Sequence, residues 1–274
     1  MPKLKPLHVD PVIHRGVLAL LLVVSAPAIG FAQPESRSPT DAAAALIKAY
    51  PDFLDRIEQN DLVWKDGTRM RIDDGEGAKS FDALLDHPDI KDMFLMKYPL
   101  GEQRLAPEVN FDPGRVHYDP LFRKMYGDCR TDDVMANAAN VVWLPAKYGK
   151  NLRFSKINGA AAALQRVSDE LDQLSQHFLT YLAPTQGTYN CRPVAGSNRQ
   201  STHGFGIAID IARAHSHYWR WSKSDGEGHF HYRNEIPWEI VRIFETHGFI
   251  WGGKWYHYDT MHFSYRPEIL FAAH

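Results

Sequence analysis

Net charge, cysteine and long apolar stretches are all scarce in this sequence. Lysine and arginine number 31 against 33 aspartate and glutamate, a formal net charge of −2. That balance provides no strong basic patch or stripe, so electrostatic capture of nucleic acid is excluded. There are no internal repeats, and no low-complexity tract beyond the four alanines 42–45. With 44% hydrophobic and 12% aromatic residues, the composition is that of an ordinary globular protein. Only Gly16–Val24 is strongly apolar, and it is too short for a comfortable membrane span.

That run follows Lys3, Lys5 and Arg15, and Gly30-Phe-Ala32 offers small residues for cleavage before Gln33. Basic flank, apolar stretch and small residues together read as a cleaved secretory signal, with an uncleaved anchor as the alternative. The mature chain is expected to lie outside the cytoplasm, periplasmic or secreted, with no transmembrane span. The two cysteines, Cys129 and Cys191, both follow the signal. An oxidising compartment permits them to pair. The bond would close a loop of roughly sixty residues, worth about 4 kcal/mol in the chain-entropy model. About 240 residues remain after cleavage, enough for one large domain or a core with an extension.

What is present is concentrated near the C-terminal end. Ser201-Thr-His203-Gly-Phe-Gly-Ile-Ala-Ile-Asp210 and Asp259-Thr-Met-His262 supply two imidazoles and two carboxylates on short, glycine-punctuated segments. Gly204 and Gly206 suit a tight turn, and residues 207–211 alternate as a strand with Ile207, Ile209 and Ile211 on one face. Asp210 lies on the other face between Ala208 and Ala212, small neighbours that leave space for its carboxylate. Residues 261–265 also read as a strand, with His262 and Ser264 opposite Met261, Phe263 and Tyr265. His203, Asp210 and His262 then form a set able to hold zinc (Zn2+), leaving one coordination position for water. Zinc lowers the pKa of water to about 7, and Asp259, at the strand entrance, can accept its proton. A single His or Asp in a glycine-rich turn is commonly a hydrogen-bonded loop residue, and this chain has 14 histidines. The conjunction of both segments, with a second carboxylate placed as a base, is what points to a metal site.

These residues resemble those of the zinc D-alanyl-D-alanine carboxypeptidase family. That family includes the vancomycin-resistance D,D-carboxypeptidases and the L-alanyl-D-glutamate endopeptidases of cell-wall lysis. The matching stretches are Ser201 to Asp210, Gly248-Phe-Ile-Trp-Gly-Gly-Lys-Trp255 and Asp259 to Phe263, within roughly the last 120 residues. The resemblance implies zinc on His203, Asp210 and His262, catalysis by Asp259, and peptidoglycan stem peptides as substrate. It also implies an arginine upstream of the first ligand that polarises the scissile carbonyl. Arg192, on an expected strand 188–192, fits that place best, and Arg199 competes for it. One departure is Ser264, where relatives often carry Glu. A second reading uses His229-Phe-His231, since lysostaphin-type endopeptidases take ligands from a His-x-His pair. Here the pair sits in a polar, glycine-rich stretch that reads as a loop inserted between core elements, and His215-Ser-His217 reads as surface histidines.

Elsewhere the pattern predicts a capped helix over 40–50, a hairpin over 61–72 turning at Asp66-Gly67, and a helix over 81–96. Residues 98–127 read as irregular. Leu164, Val167, Leu171, Leu174 and Phe178 share one helical face introduced by Asn158-Gly159, and a second helix spans 237–247 with Gly248 as its C-cap. Trp251 and Trp255 could wall a groove. The expected class is α+β, a small, mainly antiparallel sheet with packed helices as in the hedgehog and D,D-peptidase fold, plus an N-terminal α/β extension. The corresponding division is a signal peptide at 1–32, an extension of unknown role at 33–140 and a zinc peptidase domain at 141–274, acting as a monomer. Carboxypeptidase and endopeptidase action are not separated by these residues. A rival of another class is a non-catalytic, zinc-containing wall-binding or signalling module of the same fold.

Overall fold

The computed structural model describes residues 39–194, 199–226 and 229–274, so the expected signal peptide lies outside the described residues. The N-terminal part is helix α1 (Pro39–Ala49) followed by strands β1 (Leu54–Glu58), β2 (Asp61–Trp64) and β3 (Arg69–Arg71) in one antiparallel sheet. The β2–β3 hairpin turns at Asp66-Gly67 as expected, with Gly67 at φ 84°. Helix α2 covers only Phe81–Asp86, and a separate 3₁₀ turn follows at Lys91–Phe94. The helix predicted over 81–96 is thus broken, because Pro88 removes a backbone donor and disfavours helical geometry at His87. Conversely, the stretch read as irregular contains helix α3 (Asp119–Tyr126), whose Leu121, Phe122, Met125 and Tyr126 are buried. Its short length and proline-rich approach hid an amphipathic pattern.

A one-turn helix α4 (Asp133–Ala136) leads into the hairpin of β4 (Ala138–Trp143) and β5 (Lys150–Ser155). Helix α5 (Ala160–Asp172) starts where Asn158 and Gly159 both take positive φ, and it packs on β4. After the one-turn helix α6 (Leu179–Leu182) comes the sheet that matters most for function. Its strands β6 (Thr185–Gly187), β7 (Ala208–Ala212), β8 (Phe249–Trp251) and β9 (His262–Tyr265) run antiparallel in the order β6-β7-β9-β8. The strand expected at 188–192 is absent, and β6 ends at Gly187. Helix α7 (Trp238–Thr246) covers one face of this sheet, with Phe244 stacked on Phe263 at 3.8 Å between ring centres. Side chains alternate along a strand, so burying Phe263 turns His262 to the opposite face.

The mixed α+β class with small antiparallel sheets is therefore what the chain adopts. The described residues cluster as one compact unit. Helix α8 (Pro267–Ala273) packs on α1, and Tyr50 donates its hydroxyl to Glu268, which also receives Arg266. Arg266 in turn donates to the carbonyls of Gly114 and Val116, 2.8 and 3.2 Å away. Among the described residues no helix is long and apolar enough to cross a membrane.

Candidate metal centre

Asp210 and His262 are direct cross-strand partners on β7 and β9. Opposed residues of an antiparallel pair project to the same side, so register alone brings carboxylate and imidazole together. His203 reaches them from the turn before β7. Gly206 closes that turn at φ 68°, a backbone region that costs a glycine nothing, and donates to the His203 carbonyl at 3.0 Å. Phe205 anchors the turn between Phe122 and Tyr126 in the core.

The three donor atoms form a nearly equilateral triangle. His203 Nε2 lies 3.2 Å from Asp210 Oδ1 and 3.2 Å from His262 Nδ1, and His262 Nδ1 lies 3.1 Å from Asp210 Oδ1. Tetrahedral zinc with bonds of about 2.0–2.1 Å needs donors roughly 3.3 Å apart, so these residues fit the ion. The other nitrogen of His203, Nδ1, meets the Thr188 carbonyl at 2.6 Å. Only a protonated Nδ1 can donate there, which leaves the Nε2 lone pair aimed into the triangle, the usual orientation of a metal-ligating imidazole. Burial disfavours the Asp210 carboxylate, but His203 and His262 outweigh it and hold the carboxyl well below its ordinary range. Burial lowers the pKa of His262, and for His203 Asp210 reverses that effect. His203, Asp210 and His262 are all side chains of the types that ligate a divalent cation.

Asp259 lines the same cavity of about 120 Å³ as His203 and His262. Its backbone is fixed from two sides, since its N–H donates to the Gly252 carbonyl at 3.0 Å and its carbonyl accepts from His262 N–H at 3.2 Å. Gly252 is required there, because a Cβ would stand 2.6 Å from the Asp259 carbonyl oxygen. Burial first, and then the charge of Asp210, push the Asp259 carboxyl up to about 8, and its buried Oδ1 has no hydrogen-bond partner. A carboxyl tuned close to neutrality can take up and release a proton within one reaction cycle.

Arg192 and Arg199 both line the cavity, Arg192 exposed and Arg199 buried. The charge of Arg192 acts on both His203 and His262, whereas Arg199 acts on His117. Ser264 is buried and lines the cavity, as does Trp255, whose indole N–H donates to the Pro113 carbonyl at 2.8 Å. Trp251 is instead a core residue, donating to the Thr260 carbonyl, so of the two tryptophans only Trp255 forms a wall. His229 and His231 are exposed on a loop, and neither belongs to a ligand cluster among the described residues. His215 and His217 both engage Glu235, at 3.2 and 2.8 Å.

Cys129 and Cys191 are joined in a disulfide that ties the chain beside Arg192 to the segment after α3. Gln200 reinforces this tie, accepting from Cys129 N–H at 3.0 Å and from Arg123 at 2.9 Å through Oε1. Its backbone carbonyl meets buried His117 at 2.9 Å. Sequence inspection does not single out Gln200, His117 or Asp112, because their partners lie far along the chain. His257 stands two residues before Asp259, within the same segment of the sequence. It lines the cavity with Nδ1 held by Asp112 at 2.8 Å.

Residues 195–265 match the family model described as D-alanyl-D-alanine carboxypeptidase. The match spans both ligand segments and Asp259, and it supports the family resemblance and a peptidase. No curated protein and no solved structure matches the chain.

Proposed function

We propose that this protein is a zinc metallopeptidase that hydrolyses stem peptides of peptidoglycan outside the cytoplasm. The observation that carries the reading is the triangle of donor atoms at 3.1–3.2 Å, sharing a cavity with a buried carboxyl whose Oδ1 has no partner. His203, Asp210 and His262 hold the ion, which when bound supplies Lewis-acid activation of water and of the scissile carbonyl. Asp259 takes the proton that water loses on attack and returns it to the departing amine. Arg192 stabilises the negative charge that develops on the carbonyl oxygen, a role suited to a planar guanidinium with several donors. The hydrogen bond from His203 to Thr188 keeps the first ligand from rotating during turnover. The Cys129–Cys191 bond supports an oxidising compartment, in keeping with export.

Digestion of purified peptidoglycan fragments, read by mass spectrometry with and without chelator, tests the activity and names the bond cleaved. Chelator-sensitive cleavage between stem-peptide residues is expected. Unchanged turnover in both Asp259→Ala and His262→Ala would sink the mechanism. Tight wall binding without any product, despite bound zinc, would favour a non-catalytic module.

A further inference from the structure

The Cys129–Cys191 bond does not lie in the core. Cys191 is exposed and Cys129 half-buried, and both line an open hollow of about 330 Å³. Arg192 belongs to the wall of this hollow and to that of the metal cavity. Arg123 and Arg130 also line the hollow, and no carboxylate does so among the described residues. Asp119 and Asp128 pair with Arg123, and Asp128 with Arg130 as well. Three guanidinium groups against two carboxylates leave the wall positive. Thiol–disulfide exchange needs a reachable sulfur, and positive surroundings favour both the attacking and the departing thiolate.

The bond also anchors what surrounds the first metal ligand. The Thr188 carbonyl accepts from His203 Nδ1 at 2.6 Å, and Asn190 N–H donates to the His203 carbonyl at 3.3 Å. The Arg192 carbonyl accepts from Ser201 N–H at 3.1 Å. These residues have no strand ladder to hold them, since β6 ends at Gly187, and the disulfide ties their far end to the residues after α3. On the other side of the bond, a Cβ at Gly204 would stand 3.4 Å from Cys129 Sγ, so the turn that carries His203 rests against that sulfur.

We propose that Cys129–Cys191 is a thiol–disulfide exchange site, at which a protein dithiol reduces the bond and so loosens Arg192 and the His203 turn. The incoming thiolate attacks Sγ of exposed Cys191, forming a mixed disulfide and expelling Cys129 as a thiolate. The second thiol of the partner then attacks its own sulfur in that mixed disulfide and expels Cys191. The partner ends as a disulfide, having given up two electrons, and its two protons end on Cys129 and Cys191. The same steps in reverse, with a disulfide partner, restore the bond. The exchange chemistry goes beyond the peptidase reading, and only its effect on turnover rests on that reading.

The test uses the full, metal-loaded chain, with dithiothreitol as the dithiol and free thiols counted by alkylation and mass spectrometry. Reduction of the folded chain is expected to run within about a hundredfold of its rate in urea, because the target sulfur is exposed. Brief treatment with reduced glutathione, quenched in acid, should leave glutathione on Cys191 and Cys129 as a free thiol. Full reduction should weaken zinc binding, measured against a competing chelator, by about tenfold to a hundredfold, and reoxidation should restore it. A C129S/C191S chain should show the weaker affinity with no dithiol added. The proposal is overturned if folded-state reduction is slower than that hundredfold limit, if the adduct sits on Cys129, or if zinc affinity moves less than about twofold. A reduced chain that loses its near-ultraviolet circular dichroism also overturns it, since the bond is then a staple of the whole fold. Turnover of stem peptides separates the two readings. Redox-dependent zinc affinity with no hydrolysis in either state sinks the peptidase and leaves the exchange site, and hydrolysis with an unresponsive zinc affinity does the reverse.

Discussion

Two groups of metal-ligand side chains come together in this molecule, and they face opposite surroundings. His203, Asp210 and His262 converge at β7 and β9, and Asp73, Asp74 and Asp89 converge after β3, each group with ligand atoms within 4.8 Å of one another. The acidic group already has its cations. Lys79, with 4% of its side chain exposed, binds Asp74 and lies 2.8 Å from Asp92, and Lys91 lies 2.7 Å from Asp73. Burial works against the Lys79 charge, but Asp74 and Asp92 more than offset it and raise its pKa. Asp89 spends its oxygens on the N–H groups of Asp74 and Asp92, at 2.9 and 2.8 Å. At β7 and β9 no lysine or arginine pairs with Asp210 among the described residues, and the ligand atoms face one another. Proximity of ligands is therefore not enough. What marks a metal cradle is proximity without an internal counter-charge.

The contrast can be broken most directly at the cradle. Asp210→Ala or His262→Ala should abolish bound zinc and lower turnover by at least about a thousandfold, whereas Asp74→Ala should leave zinc content and turnover unchanged. Metal analysis beside a peptide assay reads both, and zinc loss in Asp74→Ala would erase the distinction. Asp259→Asn should lower kcat by about a hundredfold to ten-thousandfold while zinc content stays intact, separating the base from the ligands. On the other side, Lys79→Met leaves buried Asp92 uncompensated and should cost about 3–5 kcal/mol in urea unfolding, with no gain from added zinc. A stabilisation by zinc in that variant would mean the acidic group is a cradle after all.

The smallest effect concerns His117, an imidazole on the cavity wall outside the triad. Burial first, and then the charges of Arg199 and Arg266, lower its pKa to about 3. Below its ordinary value near 6.5 the unfolded chain takes up a proton that the folded chain refuses, so stability falls with pH between about 6.5 and 3. From pH 6.5 to pH 5 the loss should be about 2 kcal/mol, and His117→Asn should flatten that slope. An unchanged slope in the variant would place the acid sensitivity elsewhere.

The cradle was legible because its determinants are local. Two short motifs set the turn and the strands, and the antiparallel register aligns Asp210 with His262 without help from distant residues. The fold was less legible where a single residue or a remote contact decides. Pro88 split an expected helix, and α3 is recognisable only once its Phe122 and Tyr126 meet Phe205. The strand expected at 188–192 gives way to a segment held by the Cys191 disulfide and by Thr188, whose hydroxyl donates to the Arg153 carbonyl at 2.8 Å. Asp112 and Arg115 carry no motif at all. The partner of Asp112, His257, lies more than a hundred residues away, and only the folded chain brings the two together.

The packing of α1 on α8 sets the order in which this chain can finish folding. Tyr50 has no Glu268 to bind, and α1 no α8 to cover it, until residues beyond 267 have been made. A chain emerging from the ribosome would hold its first helix without its partner for almost the whole of synthesis. Contact between α1 and α8 can form only after His203, Asp210, His262 and both cysteines are already in place along the sequence.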